Sequence, residues 1–209
     1  MAYVPIVLST GTSPDNLDAF LRQQYRWPTG NVGVVFRLWG VRMPIAARLT
    51  YISGFSNHAY TSLLTLFVPI FPVVMLSFLA DQVRPRNFII LGPAMIAGFI
   101  LYPLRHRSRY GPSAWPLGVA RGWAHVFSIG DSAQGKTIGW HPTRTRGSTL
   151  RRFRVGVTSW SGGTALLCVV LALWRTVTLG SAQFTVLVLF GVLNLAVIGR
   201  VILRKARTE

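Results

Sequence analysis

Four stretches of this chain are apolar for long enough to enter a hydrocarbon layer, and polar residues fill the gaps between them. A crossing helix needs roughly 20 predominantly apolar residues. The first run, Phe55 to Ala80, carries no charge until Asp81, and Pro69 and Pro72 are expected to kink it. The second, Phe88 to Leu104, is shorter and contains Gly92-Pro93. Trp160 to Leu179 and Gln183 to Leu203 complete the set, with Arg175 placed to snorkel toward the interface. Upstream, Ser13-Pro14-Asp15 reads as a helix start: a hydroxyl cap, a proline at the first helical position and an early carboxylate. Leu17, Phe20, Leu21 and Gln24 then share one face at three- and four-residue spacing. Pro28, with Gly30 and Gly33 behind it, is expected to interrupt that helix, and Val34 to Gly40 to lie along a membrane surface. Trp115 to Ile129 reads as another interfacial helix, anchored by Trp123. Met1 to Thr12 reads as a short strand or extended segment.

The pattern predicts an all-α integral membrane protein: four transmembrane helices, amphipathic interfacial helices and a short extended N-terminal segment. Residues 1–50 precede the spans, 51–104 form the first transmembrane pair, 105–155 a basic loop with an interfacial helix, and 156–209 the second pair. Charge sharpens this picture. Only 13% of the 209 residues are charged, where a soluble domain carries about 25%. The net charge of +17 lies between the apolar runs rather than on one soluble face, which favours membrane lipids as partners over nucleic acid. Five cations precede the first run and ten lie in Arg105–Arg154. Four more, Arg200, Arg204, Lys205 and Arg207, close the chain, whereas the opposite loops hold Arg84, Arg86 and Arg175. That excess places both termini and the long loop on the cytoplasmic side of the cell membrane.

Cys168, the single cysteine, sits inside an apolar run, which excludes a disulfide framework. His58, His106, His125 and His141 lack metal-ligand spacing. Met1 to Thr10 has no basic region and does not read as a signal peptide.

One polar-aromatic cluster stands out from the apolar runs, Gln23-Gln24-Tyr25-Arg26-Trp27. On a helix, Gln23 lies three residues from Arg26 and four from Trp27, so an amide, a guanidinium and an indole converge on one patch. Indole stacks on the apolar face of a sugar ring, guanidinium pairs bidentately with phosphate, and an amide both donates to and accepts from hydroxyls. The same spacing also suits an amphipathic helix whose Trp and Arg sit at a membrane surface. Gln23-x-x-Arg26-Trp27 resembles the Q-x-x-R-W motif of processive family 2 glycosyltransferases, the cellulose-synthase and hyaluronan-synthase type. Its flanks are similar too: Val4-Pro5, Gly11, Pro14-Asp15-Asn16, and Arg48 to Gly54 ahead of the first span. The resemblance covers nearly the whole chain but only the C-terminal, membrane portion of the family. It implies that Trp27 stacks the acceptor sugar, Arg26 pairs with the UDP diphosphate and Gln23 orients the pair, with residues 1–50 as the remnant of a glycosyltransferase domain.

In the long loop, Gly130 to Thr137 fits the phosphate-loop pattern G-x-x-x-x-G-K-[ST]. The residues that follow, Ile138-Gly139-Trp140-His141-Pro142, form a poor helix, and no aspartate follows Asp131. A nucleotide-triphosphatase is not expected. Trp140-His141-Pro142-Thr143 instead resembles the Trp-x-Pro-Thr version of the family's nucleotide-covering loop, with Arg144 and Arg146 as phosphate contacts and no lysine after Thr143. Attraction of these arginines to anionic lipid headgroups is the alternative. The family binds a UDP-sugar with Mg or Mn through aspartate motifs and uses a further aspartate as general base. This chain has only Asp15, Asp18, Asp81, Asp131 and Glu209, none of them paired for metal or base chemistry, so no catalytic residue is assigned. The expectation is the membrane and translocation half of a UDP-sugar-dependent polysaccharide synthase, a split enzyme or truncated reading frame. It would be inactive alone and work with a separate catalytic domain on a growing polysaccharide. The competing class is a non-catalytic multi-pass assembly partner with a lipid-binding basic loop.

Overall fold

The computed structural model describes residues 14, 16–101, 104–105, 114–136 and 149–203, and among them every regular element is helical. The extended segment expected over Met1 to Thr12 lies outside the described residues. Helix α1 spans Leu17–Arg37. Its cap is Asn16, not Ser13: the Asn16 side chain accepts the Ala19 N–H at 2.8 Å, and Asp18 adds a favourable charge in the first turn. Pro28 does not end the helix. A mid-helix proline costs about 3 kcal/mol, and here its ring is buried, while the Thr29 hydroxyl donates to the Tyr25 carbonyl at 2.9 Å beside it. The segment expected along the membrane surface is therefore the end of α1 plus a 3-10 turn, Leu38–Gly40, with Leu38 buried.

Helices α2 (Ile45–Phe67) and α3 (Ile70–Phe78) form one 34-residue apolar unit broken at Val68-Pro69. At 1.5 Å per residue it is about 50 Å long, more than the roughly 30 Å a hydrocarbon core requires. The indole N–H of Trp160 donates to the Leu66 carbonyl at 2.9 Å, covering a last-turn acceptor of α2. The second expected span is not a continuous helix. Up to Leu101 it is described as a 3-10 segment, Pro85–Leu91, a short α4, Gly92–Ile96, and a π segment, Ala97–Leu101. Pro85 and Pro93 remove backbone donors and Gly92 weakens the helix between them.

After α5 (Ala114–Ala133) come α6 (Thr149–Gly156), a π segment (Val157–Gly162) and α7 (Gly163–Leu179), which run on as one apolar unit over Arg151–Leu179. A 3-10 turn, Ala182–Phe184, leads into α8, Thr185–Leu203. Among the described residues, three units, Ile45–Phe78, Arg151–Leu179 and Ala182–Val201, are long and apolar enough to cross a membrane. The described residues thus carry the helices of a membrane protein, three of membrane length where the sequence pattern suggests four.

Among the described residues, two cores hold the bundle. One joins Leu21 and Tyr25 of α1, Ala120, Trp123 and Ala124 of α5, Phe153 of α6 and Ile198 and Val201 of α8. The other joins Leu76 of α3, Cys168 and Ala172 of α7, and Phe184 and Leu187 at the start of α8. Helix α5 is packed against α1, α2 and α8. Trp123 is accordingly no interface anchor: it is 5% exposed, and its indole N–H donates to Ser161 at 3.0 Å. Small residues permit this closeness, since a Cβ on Gly122 would sit 2.0 Å from the Thr65 hydroxyl. Arg175 does not snorkel. Its guanidinium donates to the Leu76 and Ser77 carbonyls, both at 3.0 Å, and so caps the C-terminal turn of α3.

Candidate functional site

The buried stripe of α1 is Asp18, Leu21, Arg22, Tyr25, Pro28 and Val32, at three- and four-residue steps. Gln24 is buried as well, while Leu17 and Phe20 are only partly covered. The flank next to this stripe carries the sequence-predicted trio. Gln23 and Arg26 are half-buried and Trp27 is 52% exposed, so an indole face stands open beside an amide and a guanidinium. Trp140, Thr143, Arg144 and Arg146 lie outside the described residues.

The densest chemistry lies one residue away from the trio, at Tyr25. Its hydroxyl donates to Asp131 at 2.9 Å, and Arg152 grips the same carboxylate with two donors, each at 2.8 Å. Asp131 is 4% exposed, the Arg152 side chain 55%. The guanidinium also lies over the Phe127 ring, 4.6 Å from its centroid. Burial pushes the Asp131 carboxyl up, but the hydrogen bonds from Arg152 and Tyr25, with the charges of Arg152 and Lys136, outweigh it and hold the group below its ordinary value. One turn away, Thr29 and Ser128 meet at 2.8 Å. Because the single Thr29 proton goes to the Tyr25 carbonyl, Ser128 is the donor in that pair.

Sequence reasoning missed this network, though one signal was present: Asp131 is the only carboxylate between Asp81 and Glu209 in a chain of 22 cations. The phosphate-loop look-alike is also explained. Gly130 and Asp131 belong to the last turns of α5, and Gly135 takes φ of 68° beyond its end. Lys136 N–H donates to the Asp131 carbonyl at 2.8 Å and Gly135 N–H to the Ser132 carbonyl at 3.1 Å, a Schellman closure. A phosphate loop presents a helix N-terminus to its anion; this segment presents the C-terminal, negative end.

A second polar group lies deeper. His58 of α2 and His125 of α5 pack edge to face, with centroids 4.6 Å apart. His125 is 2% exposed, and neither of its ring nitrogens has a hydrogen-bond partner among the described residues. Burial, then the neighbouring His58 and Arg121, lowers its pKa to about 4, so the ring is neutral at physiological pH.

The divalent metal implied by the resemblance does not fit the described carboxylates. Asp18 is paired with Arg22 at 2.7 Å, Asp131 with Arg152, and Asp81 is exposed on a separate turn. No three His, Cys, Asp or Glu residues converge among the described residues. The arrangement leaves the Trp27 indole exposed and the Arg26 guanidinium half-buried, on a helix tied to its neighbours through Asp131. No protein-family model, curated protein or solved structure matches the chain.

Proposed function

We propose that this chain is the membrane and acceptor-site half of a processive, UDP-sugar-dependent family 2 glycosyltransferase, completed by a separate catalytic domain that supplies the metal-binding and general-base carboxylates. The observation that carries the reading is the open indole of Trp27 beside Gln23 and Arg26, on a helix packed against a membrane-type bundle. In this reading Trp27 stacks the acceptor sugar, Arg26 pairs with the diphosphate, and Trp140, Thr143, Arg144 and Arg146 cover the nucleotide.

Four crossings belong to the same proposal, with both termini on the cytoplasmic side. Support comes from the order of the two cores. The chain passes through the second core at Leu76, Ala80 and Val83 and is back in the first at Ala120. Along α8, Leu187 of one core and Val201 of the other are separated by about 20 Å. In this reading the chain returns along the bundle between Val83 and Ala120, its described part running in broken helical pieces over residues 85–101.

The test is oligosaccharide and UDP binding to the chain in lipid nanodiscs, with polymer synthesis on co-expression with a family catalytic domain. Trp27→Ala is expected to weaken oligosaccharide binding at least tenfold, about 1.4 kcal/mol, and to abolish synthesis. Unchanged binding and synthesis would sink the assignment. The non-catalytic assembly-partner reading draws on one observation, that Asp18 and Asp131 are both already neutralised by arginines. Polymer synthesis that survives both Trp27→Ala and Arg26→Ala would favour it.

A further inference from the structure

Helix α1 is weakest where its candidate sugar platform sits. Pro28 follows Trp27 directly and has no N–H to give to the Gln24 carbonyl, so the helix's own ladder is interrupted there. The direction of Trp27 must then be set from outside the helix. Two side-chain rungs straddle the proline, both reaching α5. Before it, Tyr25 donates to Asp131 at 2.9 Å; after it, Thr29 meets Ser128 at 2.8 Å. Thr29 also bonds back to the Tyr25 carbonyl, joining the rungs across the break.

Asp131 is poorly placed for any local purpose. It lies in the last turn of α5, where the helix dipole disfavours a carboxylate. Its tertiary contacts hold it there: Tyr25 on one side and a bidentate Arg152 on the other, itself oriented by Phe127. The carboxylate is thus clamped by α6 and presents one oxygen to α1.

We infer that Asp131 and Tyr25 are positioning residues for Trp27, splinting α1 across Pro28 so that the indole keeps one direction. The inference rests on the acceptor-site reading only for its consequence in sugar binding. It is tested on the full chain in nanodiscs with fluorinated tryptophan, the Trp27 resonance being assigned through Trp27→Phe, alongside melting temperatures. Tyr25→Phe removes one rung and is expected to move the Trp27 resonance and weaken oligosaccharide binding about fivefold. Thr29→Val, which removes the other, is expected to move it too. Asp131→Asn keeps an oxygen for the Tyr25 proton, so the resonance stays close to its original position. Arg152 nevertheless loses its charge partner there, and the melting temperature falls further than in Tyr25→Phe. The two readouts therefore rank the variants in opposite order. An unmoved resonance in Tyr25→Phe, or shifts that simply follow the loss of melting temperature, overturns the inference. If the resonance moves as stated while Trp27→Ala leaves polymer synthesis intact, the positioning role stands and the acceptor-site reading falls. Should Asp131→Asn not fold, Tyr25→Phe and Thr29→Val still decide the matter, since each removes only a hydroxyl and leaves the carboxylate paired with Arg152.

Discussion

Helices α1 and α5 are joined by polar rungs, whereas α7 and α8 are joined by the absence of side chains. Between α1 and α5, Tyr25 reaches Asp131 and Thr29 meets Ser128. Between α7 and α8, Gly191 faces Ala165 and Val169 so closely that an added Cβ would lie 2.6 Å from a Val169 methyl and 3.2 Å from the Ala165 carbonyl. Cys168 completes that contact, its thiol reaching the Leu187 carbonyl at 3.6 Å. The difference follows from what each solvent rewards. Among lipid tails there is little hydrophobic gain in joining two apolar helices, so close van der Waals contact between small residues does the holding. Where charged side chains meet the bundle, directional hydrogen bonds fix orientation as well as proximity, and it is there that the candidate site lies.

The largest effect is expected where backbone meets backbone. Gly191→Leu forces a side chain into the α7–α8 contact and should cost about 3 kcal/mol, read as a fall in melting temperature in detergent, with the Trp27 environment unchanged. A loss confined to the α1–α5 side would break the comparison. Arg175→Met is next: it leaves the Leu76 and Ser77 carbonyls without their guanidinium and should cost about 2 kcal/mol, whereas Arg175→Lys recovers part of it. Near neutral pH the smallest effect comes from His125, and it shows as acid sensitivity. His125 titrates at about 4 when folded, below its ordinary value of 6.5, so the unfolded chain takes up its proton first as pH falls. Stability is therefore expected to decline from about pH 6.5 toward pH 4. His125→Phe should flatten that part of a melting-temperature profile; a profile of the same slope would show that His125 is not its source.

The legible parts of this fold are those set by local sums. Phe55 to Ala80, Trp160 to Leu179 and Gln183 to Leu203 each fall largely on a helical unit of membrane length, because a long apolar run declares itself without reference to any partner. The trio Gln23, Arg26 and Trp27 shares a flank for the same reason, helical spacing alone. Proline is a less faithful signal. Pro28 carries the mark of a helix stop yet lies inside α1, its ring buried in the packing. Pro93 with Gly92 does break a segment that hydropathy alone would pass.

By itself, then, the sequence determined that this is a helical membrane-type chain, and it determined which face of α1 carries an amide, a guanidinium and an indole together. Only the tertiary structure decided what lies behind that face. Tyr25 and Asp131 are 106 positions apart, and Trp160 and Leu66 are 94 apart. The buried Trp123 and the capping role of Arg175 likewise depend on which helices come to neighbour α5 and α3. Hydropathy and helical period are properties of a residue and its near neighbours in sequence, whereas the partner of a lone polar side chain is chosen by whichever distant element the packing brings within hydrogen-bond reach.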